Sequence, residues 1–246
     1  MVDARQFPLA LALDPRFGEE DFLISQSNAE AYARIGQWPD WPGRMLLLEG
    51  PNASGKSHLA TIWAARSGAT QVNALALAKA EIPQLVAAGA IVVEDVDQVD
   101  VGQGATGRVG VDEAALFHLL NLATEHGAFV LLSATRHVNE WSIQTPDLLS
   151  RIRRVPKVSI APPDDALMRA LFVKLFVDRQ LVVDTALVEY LCLRVERSFN
   201  AVRAMVEKLD RETMARGKRL TRPIAAQILG FTNSGLANVE SNIESE

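Results

Sequence analysis

Residues 50–57 read Gly50-Pro51-Asn52-Ala53-Ser54-Gly55-Lys56-Ser57, a complete G-x-x-x-x-G-K-[ST] pattern between the apolar run Met45-Leu46-Leu47-Leu48 and a helical-looking stretch from Ser57 to Arg66. The pattern is that of a phosphate cradle. Gly50 and Gly55 permit backbone conformations that a side chain would obstruct, so successive N–H groups can turn inward on an anion at a helix N-terminus. Lys56 can reach the β- and γ-phosphates as a point charge, and the Ser57 hydroxyl can ligate a Mg2+ ion that bridges them. A chance glycine-rich turn is the alternative, and it does not account for the strand, loop and helix arriving in this order. The stretch predicts a site for a nucleoside di- or triphosphate.

The rest of the composition bounds what else the chain can be. Its 246 residues can bury one good core and a small second one, and 48% hydrophobic with 22% charged residues excludes wholesale disorder. A net charge of −5 works against a general attraction to nucleic-acid phosphates, so binding DNA alone is not expected. The single cysteine, Cys192, can form no intrachain disulfide and reads as a buried thiol. No signal peptide opens the sequence, and the apolar stretch near Leu85 to Val93 is too short for a bilayer, which predicts a cytoplasmic protein with no membrane association.

Apolar runs and helical spacings alternate along the first two thirds. A leader over 1–21 holds Pro8, Pro15 and Gly18; a helix is expected from Ser27 to Ile35, then a rigid loop at Trp38 to Gly43. Beyond the helix from Ser57, strands are expected at Thr70 to Val72, Ile91 to Val93 and Phe129 to Leu132, with helices at Lys79 to Ala87 and Asp112 to His126. Gly102 to Gly110 carries four glycines and reads as a flexible loop. This alternation predicts an α/β fold with a parallel sheet flanked by helices, over 22–162. After Pro162-Pro163 the pattern becomes all-helical, with candidates at Asp164 to Asp178, Asp184 to Val195, Asn200 to Arg216 and Thr221 to Leu229, each opening near Asp, Asn or Thr. A separate helical lid over 163–230 is expected, followed over 231–246 by a tail too poor in large apolar groups to pack.

Three further motifs carry chemistry. Val92-Val93-Glu94-Asp95 ends a buried strand on two carboxylates, one suited to hold a metal's hydration shell and the next to polarise an attacking water; a solvated strand end is the alternative. Ser133-Ala134-Thr135-Arg136 follows another strand, where Thr135 could sense a γ-phosphate or could simply form a turn. Leu149-Ser150-Arg151-Ile152-Arg153-Arg154 places three arginines at the end of a short helix. They could complement the helix dipole, or present an arginine to a neighbour's phosphate.

The order of these motifs resembles the AAA+ ATPases of the DnaA family, and among them the Hda-type proteins. The resemblance rests on Phe22 with Ser27-Asn28, Gly50 to His58-Leu59, Val92 to Asp95, Ser133 to Arg136 and Leu149-Ser150-Arg151, and spans roughly residues 5 to 230. It implies a P-loop fold with a five-stranded parallel sheet and a small helical lid. ADP or ATP would bind at 50–58, from Gly50 to His58, with Mg2+ held through Ser57, Glu94 and Asp95; Asp95 and Thr135 would be catalytic. It also implies that Arg151 acts in trans on ATP bound to DnaA, and that no helix-turn-helix domain follows the lid. In the leader, Gln6, Leu9 and Leu11 are similar to the Gln-x-x-Leu-x-Leu peptide that docks such proteins on the DNA polymerase III sliding clamp; a glutamine at a pocket rim and leucines in a cleft are the physical basis.

Two departures from the family stand out. Glu94 takes a place usually held by Asp, and the lid arginine expected at the nucleotide has two candidates, Arg197 and Arg203, which a helix would point in different directions. The resulting expectation is a regulator of replication initiation that meets DNA only through the clamp and stimulates hydrolysis by DnaA, its own turnover being slow; a homo-oligomer is left open. The alternative is a nucleotide-switched adaptor or loader that binds DnaA or the replicative helicase without accelerating hydrolysis.

Overall fold

Met45–Glu49 (β1) is buried at every position, because apolar side chains on both faces of a strand are stable only where both faces are covered. The computed structural model describes residues 17–98, 110–216 and 219–230. The leader carrying Gln6, Leu9 and Leu11, most of the glycine-rich loop and the tail from 231 lie outside the described residues. Around β1 stand Thr70–Asn73 (β2), Ala90–Glu94 (β3), Phe129–Ala134 (β4) and Lys157–Ser159 (β5), all parallel in the order β2-β3-β4-β1-β5.

The period-two alternation of these strands separates two cores. Met45 and Leu47 face one way with Ile91, Val93, Val130 and Leu132, against Ile82–Ala87 (α3), Glu113–His126 (α4) and Pro146–Arg154 (α5). Leu46 and Leu48 face the other way with Val92, Leu131 and Val158, against Ala29–Gly36 (α1) and Lys56–Ser67 (α2), packed through Ile35, Leu59 and the stacked pair Trp41 and Trp63, 4.9 Å apart. Burying each such leucine contributes about 1.5–3 kcal/mol.

The chain divides into two compact units, one reaching Leu167 and one from Met168 onward. The second is all-helical among the described residues. Asp165–Asp178 (α6) begins ahead of the division, followed by Thr185–Cys192 (α7), Phe199–Arg216 (α8) and Arg222–Leu229 (α9). Its core holds Phe172, Phe176, Leu187, Leu191, Val202 and Val206. Asp184 caps α7 by accepting the Leu187 N–H at 2.7 Å, and the Arg179 guanidinium, 9% exposed, meets Glu207 at 3.4 Å and Asp210 at 3.8 Å.

Several elements differ from the sequence expectations. The helix expected at Lys79 to Ala87 is a 3₁₀ turn over Ala74–Lys79 and then α3, since Pro83 suits only a first helical turn. The sheet has the five strands that the resemblance implies, but the sequence reading assigns no residues to the fifth, β5, whose three residues include a single buried side chain, Val158. Helix α1 starts at Ala29, after Asn28, whose buried amide accepts the Ser25 N–H at 2.8 Å.

Asp164 joins the two ends of the first unit. One carboxylate oxygen caps α6 through the Leu167 N–H at 2.8 Å, and the other accepts the Ser27 N–H at 3.1 Å. The bond from Leu167 leads the contacts that hold its pKa below the ordinary 3.8. A depressed carboxylate pKa stabilises the fold above the unfolded value and loses that contribution as pH falls through the folded one. Asp164→Ala is expected to cost about 1–2 kcal/mol at neutral pH. In denaturant titrations, its deficit against the parent should shrink as pH drops below 3.8.

Candidate functional site

The loop from Gly50 to Gly55 joins the carboxyl end of β1 to the N-terminus of α2. Two glycines are required there for different reasons. A Cβ on Gly50 would lie 2.6 Å from the Ile160 carbonyl oxygen, and Gly55 has φ +105°, outside the range side chains favour. Ala53 also takes a positive φ, +54°, so the loop turns tightly between them. Ser54 is 2% exposed and its Oγ, on the side of the loop that faces Gly50, has no hydrogen-bond partner among the described residues.

Lys56 opens α2 with its side chain folded back into the loop. Its Nζ donates to the carbonyls of Gly50 at 2.7 Å and Pro51 at 2.9 Å. Burial pushes its pKa below the ordinary lysine value, and the charges of Asp95, Asp97 and Glu94 push it back up. A buried cation at a helix N-terminus with acids close by is the kind of place that suits an anion shared with a metal.

The two acids of the β3 motif separate. Ser57 Oγ donates to Glu94 Oε2 at 2.5 Å, whereas Asp95, with φ +60°, accepts Asn73 Nδ2 at 3.0 Å. Ser57 Oγ and Glu94 Oε2 thus meet at one point, and hard oxygen donors of this kind are the ones Mg2+ takes. Thr135 Oγ1 donates to Asn52 Oδ1 at 3.1 Å, which brings the end of β4 onto the loop. His58 turns away from it: Nε2 lies 2.8 Å from the Gly18 carbonyl, and the ring packs edge-on against Phe17 and Phe22.

Sequence reasoning missed three residues. Asn73 holds Asp95; its signal was a polar residue paired with Glu94 in register, at the end of a strand read one residue short. Asp97, 3% exposed, grips Arg136, and Glu49, 6% exposed, accepts the Val138 N–H at 3.3 Å. An acid two positions past the motif looks like a solvated turn until its partner is known.

Arg151 lies elsewhere. It belongs to the last turns of α5, and half-buried it donates to Thr124 Oγ1 at 3.3 Å with its guanidinium 5.7 Å above the Phe117 ring. Beside it opens a cleft of about 670 Å³, also lined by Met45, Asp147, Ser150, Arg154 and Pro156. Met45 begins β1 and Pro156 precedes β5, so the cleft sits at the amino ends of the strands, roughly 13 Å along β1 from the residue that leads into the phosphate loop. In the helical unit, Arg197 is exposed ahead of Ser198, which caps α8, and Arg203 is half-buried within that helix.

Neither a protein-family model nor a curated protein matches the sequence. Among solved structures, the chain is similar to domain III of the replication initiation protein DnaA from Thermotoga maritima, with 18% identity and a TM-score of 0.72 over 91% of this chain and 99% of that one. The chain carries the AAA+ fold. AMPPCP-bound DnaA from Aquifex aeolicus is also similar, with 16% identity and a TM-score of 0.61 over 80% of this chain and 65% of that one. The FIGL-1 AAA domain in complex with ADP gives 14% identity and a TM-score of 0.62 over 93% and 89%. No helix among the described residues is long and apolar enough to cross a membrane.

Lys56→Ala removes the ammonium and leaves three acids facing one another. Titration with ADP should show affinity reduced on the order of a hundredfold, the size of a lost charge-assisted contact or two. Undiminished affinity would place the nucleotide somewhere other than the AAA+ loop.

Proposed function

We propose that this chain is a nucleotide-binding AAA+ regulator of DNA replication initiation that acts on DnaA. In this reading ADP or ATP binds at Gly50 to Ser57, with Ser57 and Glu94 holding Mg2+, which would neutralise charge on the phosphates. Lys56 holds the β- and γ-phosphates, Asp95 orients a water, and Thr135 reads the third phosphate. The chain's other contribution is Arg151, lent to the triphosphate on a neighbouring DnaA. Gln6, Leu9 and Leu11 would hold it on the sliding clamp, so that it meets DNA only through the clamp.

The observation that carries this reading is the position of Arg151. It stands at the amino ends of the strands beside an open cleft, at the opposite end of β1 from its own phosphate loop. A guanidinium so placed has no use for its own nucleotide and is suited to another's. Among the described residues its side chain meets Thr124 and Phe117, neither of them acidic, which supports a guanidinium that can turn to a phosphate. Similarity in fold to DnaA domain III supports DnaA as the neighbour, since AAA+ modules of like shape can stack one loop against the next cleft.

Hydrolysis of DnaA-bound ATP, followed with purified chain, clamp and DNA, tests this directly. Arg151→Ala is expected to return the rate to that of DnaA alone, because an arginine supplied in trans is worth about a thousandfold or more. Stimulation that survives this change would rule out the trans arginine. A wild-type chain that binds DnaA or helicase without stimulation would establish the adaptor reading instead.

A further inference from the structure

Two turns emerge at the carboxyl ends of β3 and β4, and Asp97 joins them. Its Oδ2 accepts the Arg136 backbone N–H at 2.9 Å and Arg136 Nε at 3.4 Å, while Arg136 Nη2 donates back to the Asp97 carbonyl at 2.5 Å. The same turns meet again where Asp95 N–H reaches Ser133 Oγ at 3.2 Å and Val96 N–H reaches the Ser133 carbonyl at 2.9 Å. Trp141 Nε1 closes the far side by donating to the Arg136 carbonyl at 2.8 Å.

The carboxylate is costly where it stands. Asp97 is 3% exposed, and its second oxygen, Oδ1, is buried with no hydrogen-bond partner among the described residues. Burying a charge with half of its acceptors idle is unfavourable for stability alone. What the carboxylate does accomplish is placement. Arg136 follows Thr135 directly, and the Thr135 hydroxyl reaches Asn52 inside the phosphate loop at 3.1 Å. A continuous path therefore runs from Asn52 through Thr135, Arg136 and Asp97 to Asp95, and the Asp97 charge also acts on Lys56.

We propose that Asp97 is a positioning residue: by gripping Arg136 it holds Thr135 against the phosphate loop in register with Asp95, and so lets the site tell a nucleoside triphosphate from a diphosphate. Asp97 touches no ligand itself. Arg136 is the lever, its side chain 45% exposed and tied at the guanidinium as well as the main chain. This inference rests on the reading of residues 50–57 as the nucleotide site and needs neither the clamp nor DnaA.

Fluorescent ADP and ATP analogues titrated onto the full chain, with thermal midpoints recorded alongside, test it. Arg136→Gln and Asp97→Ala should each shift the ratio of ATP to ADP affinity by about tenfold while leaving ADP affinity within about twofold. The double variant should fall short of the sum of the two shifts, because the Arg136 guanidinium acts in part through the carboxylate that Asp97→Ala removes. Asp97→Asn keeps an acceptor for the Arg136 N–H and should fall between parent and Asp97→Ala. If Asp97→Ala does not fold, Arg136→Gln, which alters a partly exposed side chain, carries the test. An unchanged ratio, equal losses of ADP and ATP, or additive effects of the two changes would overturn the inference. A parent chain that binds neither nucleotide would instead overturn the site on which it rests.

Discussion

Strand β1 is the constraint on which the rest depends. Every one of its five residues is buried, with β4 on one side, β5 on the other and a helical layer over each face. Nothing in such a strand can slip by a residue without turning its leucines toward the wrong layer. Its ends are thereby fixed in space. The Ile160 N–H bonds to Glu49 at 2.8 Å where the strand hands over to the phosphate loop, and the Leu47 N–H bonds to Pro156 at 2.9 Å close to where Arg151 emerges. The glycine loop and the helix turn that carries Arg151 are thereby set at opposite ends of one rigid strand.

Electrostatics finishes what packing begins. The loop curls around Lys56 because its carbonyls can share an ammonium, and three acids at or just beyond the end of β3 hold that charge in place. Each acid has its own occupation: Glu94 meets Ser57, Asp95 meets Asn73, and Asp97 meets Arg136. Three carboxylates this close would repel one another if left alone. Distinct partners give each of the three a hydrogen bond of its own around a single site.

Much of this was legible before any coordinates. The phosphate loop declares itself through glycine spacing, and β1, β3 and β4 are continuous apolar runs that only a doubly covered parallel sheet explains. Strand β5 escaped because a three-residue edge strand with one buried side chain has no periodicity to detect. Asn73 and Asp97 escaped for another reason. Their roles exist only once parallel pairing brings β2 beside β3 and β3 beside β4, joining residues 21 and 39 positions apart in the chain. The surroundings of Arg151 were hidden in the same way, since Phe117 and Thr124 approach it only through the packing of α4 against α5. The three arginines of that helix read alike in sequence; burial beside the cleft is what distinguishes the first of them.

The central claim is that one module uses opposite ends of the same sheet for two triphosphates, its own and a neighbour's. A structure of this chain assembled with DnaA loaded with a non-hydrolysable ATP analogue tests it most directly. The account predicts a nucleotide over Lys56 in this chain and the Arg151 guanidinium within hydrogen-bonding distance of the γ-phosphate on DnaA. An assembly in which DnaA approaches by another face, leaving Arg151 against Thr124 and Phe117 with no phosphate beside it, would contradict it.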